Sequence, residues 1–205
     1  MHDRPAGDPL EALARWVDAA AAAGIPVPST MTLATAGADG TPHARTVLVT
    51  VVDPATGSLR FHSSTPTRKT VDLAANPAVS GVFHWPTLGR QVVLAGTAEE
   101  LDVATSRAAF ATRPRSLQLV AWAYEELTPT LAGPDHAVAP GAVEEAFTAA
   151  AERDPATLPM PPSWTTIRVV PARVDFWQAG GELSPPSRTR FVREGPGWRS
   201  FPVLP

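Results

Sequence analysis

Two short stretches hold the residue types that could do chemistry: RTVLVT at 45–50 and HSSTPTRK at 62–69. In a strand, alternate side chains share a face, so Arg45, Val47 and Val49 point one way and Thr46, Leu48 and Thr50 the other. Such a strand offers one cationic side chain and a line of backbone groups to a flat ligand. The second stretch sets His62, Ser63, Ser64, Thr65 and Thr67 just ahead of Arg68 and Lys69. Hydroxyls, a helix N-terminus and adjacent cations are what a phosphate monoester requires. The same stretch also reads as a solvated turn with a surface Arg-Lys pair, because Ser/Thr-rich turns commonly precede helices.

The elements that must position these residues are legible from period and punctuation. Leu10, Leu13, Trp16 and Val17 recur at helical spacing in 9–23, with Asp8 as N-cap and Pro9 in the first turn. Gly24 and Pro26 end that helix. Residues 30–36 and 44–52 are β-rich runs joined by GADGTP, and SLRFHS follows the turn DPATG as a third strand. A short helix over 67–75 ends at Asn76-Pro77. AVSGVFHW and RQVVLAGTAEEL are two more strands, joined by PTLG. Helices are expected over 103–112, 116–126 and 141–152, with Pro-rich connections at 127–140 and 153–163. Strands over roughly 164–177, 188–194 and 197–203 close the chain. Short strands, tight turns and inserted helices predict an antiparallel barrel decorated by helices, in a single domain over 1–205.

Composition narrows the function. The chain has 205 residues, 44% hydrophobic and 18% charged, which is ordinary for a globular protein. A net charge of −3 argues against general nucleic-acid affinity. The absence of cysteine excludes disulfides and Cys-ligated metals and fits a cytoplasmic protein. No signal-like start and no long apolar run is present, so secretion and membrane spanning are not expected. His2, His43, His62, His84 and His136 are scattered without metal-ligand spacing, so no metal site is expected. Ser63-Ser64 lacks a nucleophile elbow, and GADG and AGG lack a dinucleotide-binding context. The acidic pairs Glu99-Glu100, Glu125-Glu126 and Glu144-Glu145 read as solvated faces.

The ordered set DPLEALARWVDAA, MTLATAGADGTPHARTVLV, STPTRKTVDLAANP, FHWPTLGRQVVLAG, FATRPRSLQ and PSWTTIRVVPARVDFWQ resembles the pyridoxamine 5′-phosphate oxidase family. The resemblance runs from about residue 8 to the C-terminus. It implies a split-barrel homodimer holding two FMN molecules between its subunits, with a C-terminal segment of about 164–205 serving dimerisation and substrate. The family's flavin-binding strand corresponds to Arg45, Thr46, Val47, Leu48 and Thr50. Its phosphate-binding group falls on His62, Ser63, Arg68 and Lys69. Gln91 matches the family's glutamine near the flavin ring, Trp177 its tryptophan beside the cofactor, and Arg188 its late arginine. Gln91 and Trp177 also read as ordinary barrel packing. The family's Gln-Ser pair aligns with Glu126-Leu127, so two flavin contacts are missing.

The substrate side departs further. The family's substrate-binding lysine aligns with Thr50, its tyrosine with Ala109 and its serine with Leu117; its arginine is kept as Arg113. Its Arg-x-His pair falls on Ser184 and Pro186, in the stretch WQAGGELSPPSRTRF at 177–191. A phosphate dianion thereby loses two cationic partners and two hydroxyl donors. Each charge-assisted hydrogen bond is worth roughly 1.5–3 kcal/mol, so tight binding of pyridoxamine phosphate in the usual pose is not expected. Arg113 is left either to meet a carboxylate or to form a structural salt bridge. The resemblance implies FMN-dependent oxidation of a small amine or dihydroaromatic substrate, with oxygen as acceptor. The alternatives are a non-catalytic flavin- or deazaflavin-binding protein, a true pyridoxamine phosphate oxidase with an unusual pocket, and a flavin oxidase of the phenazine-biosynthesis type.

Overall fold

The computed structural model describes residues 5–131, 137–153 and 158–204; His2 and His136 lie outside them. Helix α1 (Pro9–Ala22) starts where Asp8 accepts hydrogen bonds from the backbone of Leu10 and Glu11, as its sequence predicts. Strands β1 (Thr30–Ala36), β2 (Pro42–Asp53) and β3 (Ser58–Ser64) follow, then α2 (Arg68–Ala75). Strand β4 (Ala78–Trp85) turns through a 3-10 segment at Pro86–Leu88 into β5 (Arg90–Glu100). Helices α3 (Val103–Ala111), α4 (Arg115–Leu127) and α5 (Ala142–Ala151) precede β6 (Trp164–Gln178), β7 (Ser187–Glu194) and β8 (Gly197–Val203).

The strands form one sheet in the order β3-β2-β1-β4-β5-β6-β7-β8, and β3 also pairs with β6. That extra pairing closes β3 through β6 into a six-stranded antiparallel barrel, with β7 and β8 continuing from β6. Closure covers the edge that β3 would otherwise expose and leaves β8 as the outer strand of the sheet. Glycine at 96 is needed for it: a Cβ there would lie 2.1 Å from the carbonyl oxygen of Val170.

The residues group into two compact units. The first comprises the chain up to Phe61, Asp72–Glu99 and the chain from Arg168 onward. Its core contains Leu13, Trp16, Met31, Leu33, Phe83 and Phe176, all 2% exposed or less. Trp16 meets Phe176 and Trp85 edge-on, with ring centroids 5.0 and 6.4 Å away, the arrangement that aromatic quadrupoles favour. The second unit comprises His62–Val71 and Glu100–Ile167. There Asp102 caps α3 through the Thr105 amide at 2.8 Å, and Phe110, Ala121 and Trp164 form a small buried cluster.

Among the described residues no helix is long and apolar enough to cross a membrane, and no group of three or more His, Asp or Glu side chains could hold a metal ion.

Candidate functional site

In the second unit the end of β3 and the start of α2 assemble the hydroxyl-rich stretch. Lys69 Nζ donates to Ser63 Oγ at 2.8 Å and to Thr67 Oγ1 at 3.0 Å. Thr70 Oγ1 accepts from the Thr67 amide at 2.8 Å, which fixes the first turn of α2. An ammonium, two hydroxyls and the opening of a helix are thus gathered at one place, with exposed Arg68 next in sequence. This donor set suits a phosphate monoester.

His62 takes the opposite strand face from buried Ser63. Its ring stacks on Trp164 with centroids 4.6 Å apart, and its Nδ1 shares a hydrogen bond with Thr166 Oγ1 at 3.1 Å. Burial, and then the positive charge of Arg113, push its pKa down to about 4. The imidazole is therefore neutral at pH 7, a hydrogen-bonding group and not a cation. Arg113 follows α3, its amide bonded to the Phe110 carbonyl at 3.0 Å. Its guanidinium makes no hydrogen bond or ion pair among the described residues. Burial pulls its pKa below the usual arginine value. His62, Ser63, Arg113 and Leu117 line one cavity of about 170 Å³, together with Tyr124 and Trp164. Ala109, expected to widen the substrate pocket, does not line it and packs instead against the Phe110–Ala121–Trp164 cluster.

In the first unit β2 shows the predicted alternation. Val47 and Val49 are buried, Thr46 and Leu48 exposed, and Thr50 half-buried with its hydroxyl donating to the Arg60 carbonyl at 3.3 Å. Arg45 departs from its expected use. Its Nη1 donates to Thr35 Oγ1 at 2.7 Å and to the Leu33 carbonyl at 3.3 Å, while Nη2 lies 3.8 Å from Asp72. Asp72 is 2% exposed and also receives Thr35 Oγ1 at 2.6 Å, with His43 Nδ1 at 3.0 Å. Arg45 thus lies beside a buried carboxylate, and Thr46 and Leu48 are exposed on the other side of β2.

Gln91 is half-buried on β5, where the register sets it opposite His84. Trp177 and Arg188 are directly opposite each other in the β6–β7 register, and Asp175 is opposite Arg190. Cross-strand partners share a face, so these four side chains form one group. Arg188 Nη2 donates to Asp175 Oδ2 at 2.7 Å, and Arg190 binds both carboxylate oxygens at 2.8 Å. Arg173 Nε lies 3.9 Å away from the same carboxylate, which is 1% exposed. Burial raises the Asp175 pKa, but the hydrogen bonds from Arg190 and Arg188 outweigh it and hold the carboxyl below its usual range. Arg188 is therefore oriented beside Trp177 by Asp175, and its Nε is buried without a partner.

Between β6 and β7 the loop folds tightly on itself. The Gly181 amide donates to Ser184 Oγ at 2.8 Å, and a Cβ at Gly180 would sit 2.0 Å from the Ser184 carbonyl oxygen. Ser184, Pro186 and Arg188 then border one open cavity of about 330 Å³. Of the residues expected to bind cofactor or substrate, the structure unites two groups within the second unit (Ser63 with Lys69; His62 with Ser63, Arg113 and Leu117) and two within the first (Trp177 with Arg188; Ser184 and Pro186 with Arg188). Sequence reasoning missed Trp164, Thr166, Asp72 and Asp175. A tryptophan opening a closing strand was the visible signal for the first; a lone aspartate in an apolar run, ARVDFWQ, was the signal for the last.

The chain aligns with known proteins over nearly its whole length. The family described as pyridoxamine 5′-phosphate oxidase matches residues 17–178. A pyridoxine/pyridoxamine 5′-phosphate oxidase of Rubrobacter xylanophilus is 39% identical over 198 residues, 97% of this chain and 87% of that one. One from Salinispora arenicola is 42% identical over 175 residues, 84% and 75% of the two chains. Among solved structures, PhzG from Burkholderia lata in complex with tetrahydrophenazine-1-carboxylic acid superposes with a TM-score of 0.83 at 24% identity, over 99% of this chain and 95% of that one. A pyridoxamine 5′-phosphate oxidase-related, FMN-binding protein of Nostoc punctiforme gives 0.76 at 20% identity, over 95% and 96%. At such identities the two structures speak for the fold, whereas the family match and the curated relatives speak for descent: the chain belongs to the pyridoxamine 5′-phosphate oxidase family.

Proposed function

We propose that this protein is an FMN-dependent oxidoreductase, working as a cytoplasmic homodimer, whose substrate pocket has moved away from pyridoxamine phosphate. The observation that carries the cofactor is the cluster of Lys69, Ser63 and Thr67 at the start of α2, whose donors match a phosphate monoester. In this reading His62, Ser63, Arg68 and Lys69 hold the FMN phosphate. The backbone of 45–50 and the exposed Thr46–Leu48 face support the ring, and Gln91, Trp177 and Arg188 border it. Leu48, 38% exposed, excludes water from the ring once covered by ligand and partner subunit. Arg188 arrives pre-oriented by Asp175, so little rotamer entropy is lost on binding. Bound FMN would supply two-electron acceptance from a C–N or C–C bond of the substrate, with oxygen as final acceptor.

The substrate reading rests on what surrounds Arg113. Its cavity contains apolar Leu117 where the family's serine aligns. Arg113 orients an anionic substrate, and no side-chain base is required. The names borne by the relatives make pyridoxamine phosphate the compound to beat.

The test begins with the absorption spectrum of the purified protein and mass identification of any chromophore. FMN is expected, with Lys69→Met weakening its binding by about ten- to a hundred-fold through loss of one charge-assisted contact. Flavin reduction is then followed anaerobically across amines and dihydroaromatics. A colourless protein that ignores added FMN sinks the cofactor assignment. Tightly bound flavin reduced by none of the compounds favours a non-catalytic binding protein. Substantial peroxide formation from micromolar pyridoxamine phosphate overturns the divergence of the pocket.

A further inference from the structure

Thr70 follows Lys69 in α2 and is 4% exposed, too buried to meet a ligand itself. Its hydroxyl is nonetheless the hub of the cluster around Lys69. Oγ1 accepts from the Thr67 amide at 2.8 Å and from the Thr65 hydroxyl at 3.2 Å, and donates to the Thr67 carbonyl at 3.0 Å. A threonine hydroxyl has one donor and two acceptor lone pairs, so its whole capacity is spent on the protein. What it does for a ligand, it does through other residues.

Thr67 is the residue it acts on. The Thr67 carbonyl accepts the first helical bond of α2, from the Val71 amide at 3.0 Å, which makes Thr67 the N-cap. The Thr67 hydroxyl accepts from the Lys69 ammonium at 3.0 Å. The side chain that reaches back to the N-cap amide is Thr70, at the position where a capping box carries Glu or Gln. A glutamate there would set a negative charge beside an incoming anion; a hydroxyl makes the same bond without one.

Lys69 needs such support. It is the only lysine in the sequence, so no other ammonium can stand in for it. An ammonium on a flexible four-carbon stem lacks the rigid fork of a guanidinium, so the Ser63 and Thr67 hydroxyls that accept from it set where its charge lies. Ser63 is held by its own bond to the Ser64 carbonyl at 2.7 Å, and Thr67 is held by Thr70.

We propose that Thr70 is a positioning residue for the phosphate of the bound cofactor: its buried hydroxyl fixes Thr67, and Thr67 with Ser63 fixes the Lys69 ammonium. This deepens the FMN reading and rests on it. Flavins with and without a phosphate let the two fail separately.

FMN and riboflavin, which has the same ring and no phosphate, are titrated into the full-length protein stripped of flavin, with quenching of flavin fluorescence as the signal. Wild type is expected to prefer FMN by at least about tenfold, the worth of one charge-assisted contact. Thr70→Val keeps the shape and removes the hydroxyl. It is expected to weaken FMN by about tenfold and to leave riboflavin unchanged within about twofold, as for a site remote from the ring. Thr70→Ser is expected to restore the wild-type ratio. Thr67→Val leaves Thr70 in place and cuts its route to Lys69, and is expected to lose the preference as well; if Thr70→Val does not fold, a preference kept in Thr67→Val overturns the proposal. An unchanged ratio in Thr70→Val overturns it too and leaves the FMN reading standing. Equal weakening of both flavins marks a merely structural threonine and also overturns it. A wild type that binds neither flavin, or both alike, sinks the phosphate site and the proposal together.

Discussion

Acid should weaken this protein through His62 in a way that one substitution can isolate. The folded-state pKa of about 4 lies below the unfolded reference of 6.5. Between those values the unfolded chain binds a proton at this position and the folded chain does not, so stability rises with pH across the window. The contribution is complete above about pH 6.5 and is lost as pH falls toward 4. A shift of this size corresponds to roughly 3 kcal/mol at 1.36 kcal/mol per unit, and to about 2 kcal/mol already lost at pH 5. The physical cause is local: protonation would charge a ring stacked on Trp164 and facing Arg113, in a site that partly excludes water. Urea unfolding of wild type and His62→Gln at pH 7 and pH 5 separates this term, because carboxylates that titrate in the same range do so in both proteins and cancel. Wild type is expected to lose about 2 kcal/mol more than His62→Gln between the two pH values. Arg113→Met should shrink that difference without removing it, since burial is the larger cause and Arg113 the smaller. A wild-type and His62→Gln pair that track each other within about 0.5 kcal/mol, or an imidazole Cε1 proton resonance of His62 that titrates near 6.5, would falsify the reasoning.

Two further perturbations probe the first unit. Asp175→Asn leaves Arg188 and Arg190 facing each other, with Arg173 close by, over a buried neutral amide; about 3–5 kcal/mol of stability should be lost, read as a fall in Tm on the order of 10 °C, and an unchanged Tm refutes the role given to the carboxylate. Gly180→Ala forces a methyl onto the Ser184 carbonyl and the Pro185 backbone; thermal unfolding should show a cost of about 1–3 kcal/mol, and a neutral result means the loop does not depend on that close approach.

Most of the architecture was legible in the sequence. Strands at Thr30–Ala36 and Ala78–Trp85 fall where alternation and Gly/Pro punctuation put them, since turn residues and period-two runs are local properties of the chain. The Asp8 cap of α1 and the antiparallel barrel class were legible for the same reason. What the sequence left open was non-local. Alternation correctly puts Arg45 on the Val47 side of β2, but only the fold reveals that Asp72 of α2 and Thr35 of β1 converge there. Ala109 is similar: a small helical residue suits either a widened pocket or a packed core, and only the fold shows it against the Phe110–Ala121–Trp164 cluster. Lys69 is the contrasting case, where spacing sufficed because Ser63, Thr67 and Lys69 lie within one turn of strand-to-helix connection.

These assignments change how the family's cations should be counted. By residue type, Arg45, Arg113, Arg188 and Lys69 all look available to an anion. By geometry, Arg45 is committed to Asp72 and its neighbours, and Arg188 is shared with Arg190 on Asp175. Lys69 is directed at the hydroxyls of Ser63 and Thr67, the group that suits a phosphate monoester. Arg113 remains, lining a cavity with an uncharged imidazole and apolar walls. In the proposed function this difference has a direction: Leu117 in place of a hydroxyl adds apolar area where the family's serine aligns, and Arg113 is the one cation lining that cavity among the described residues.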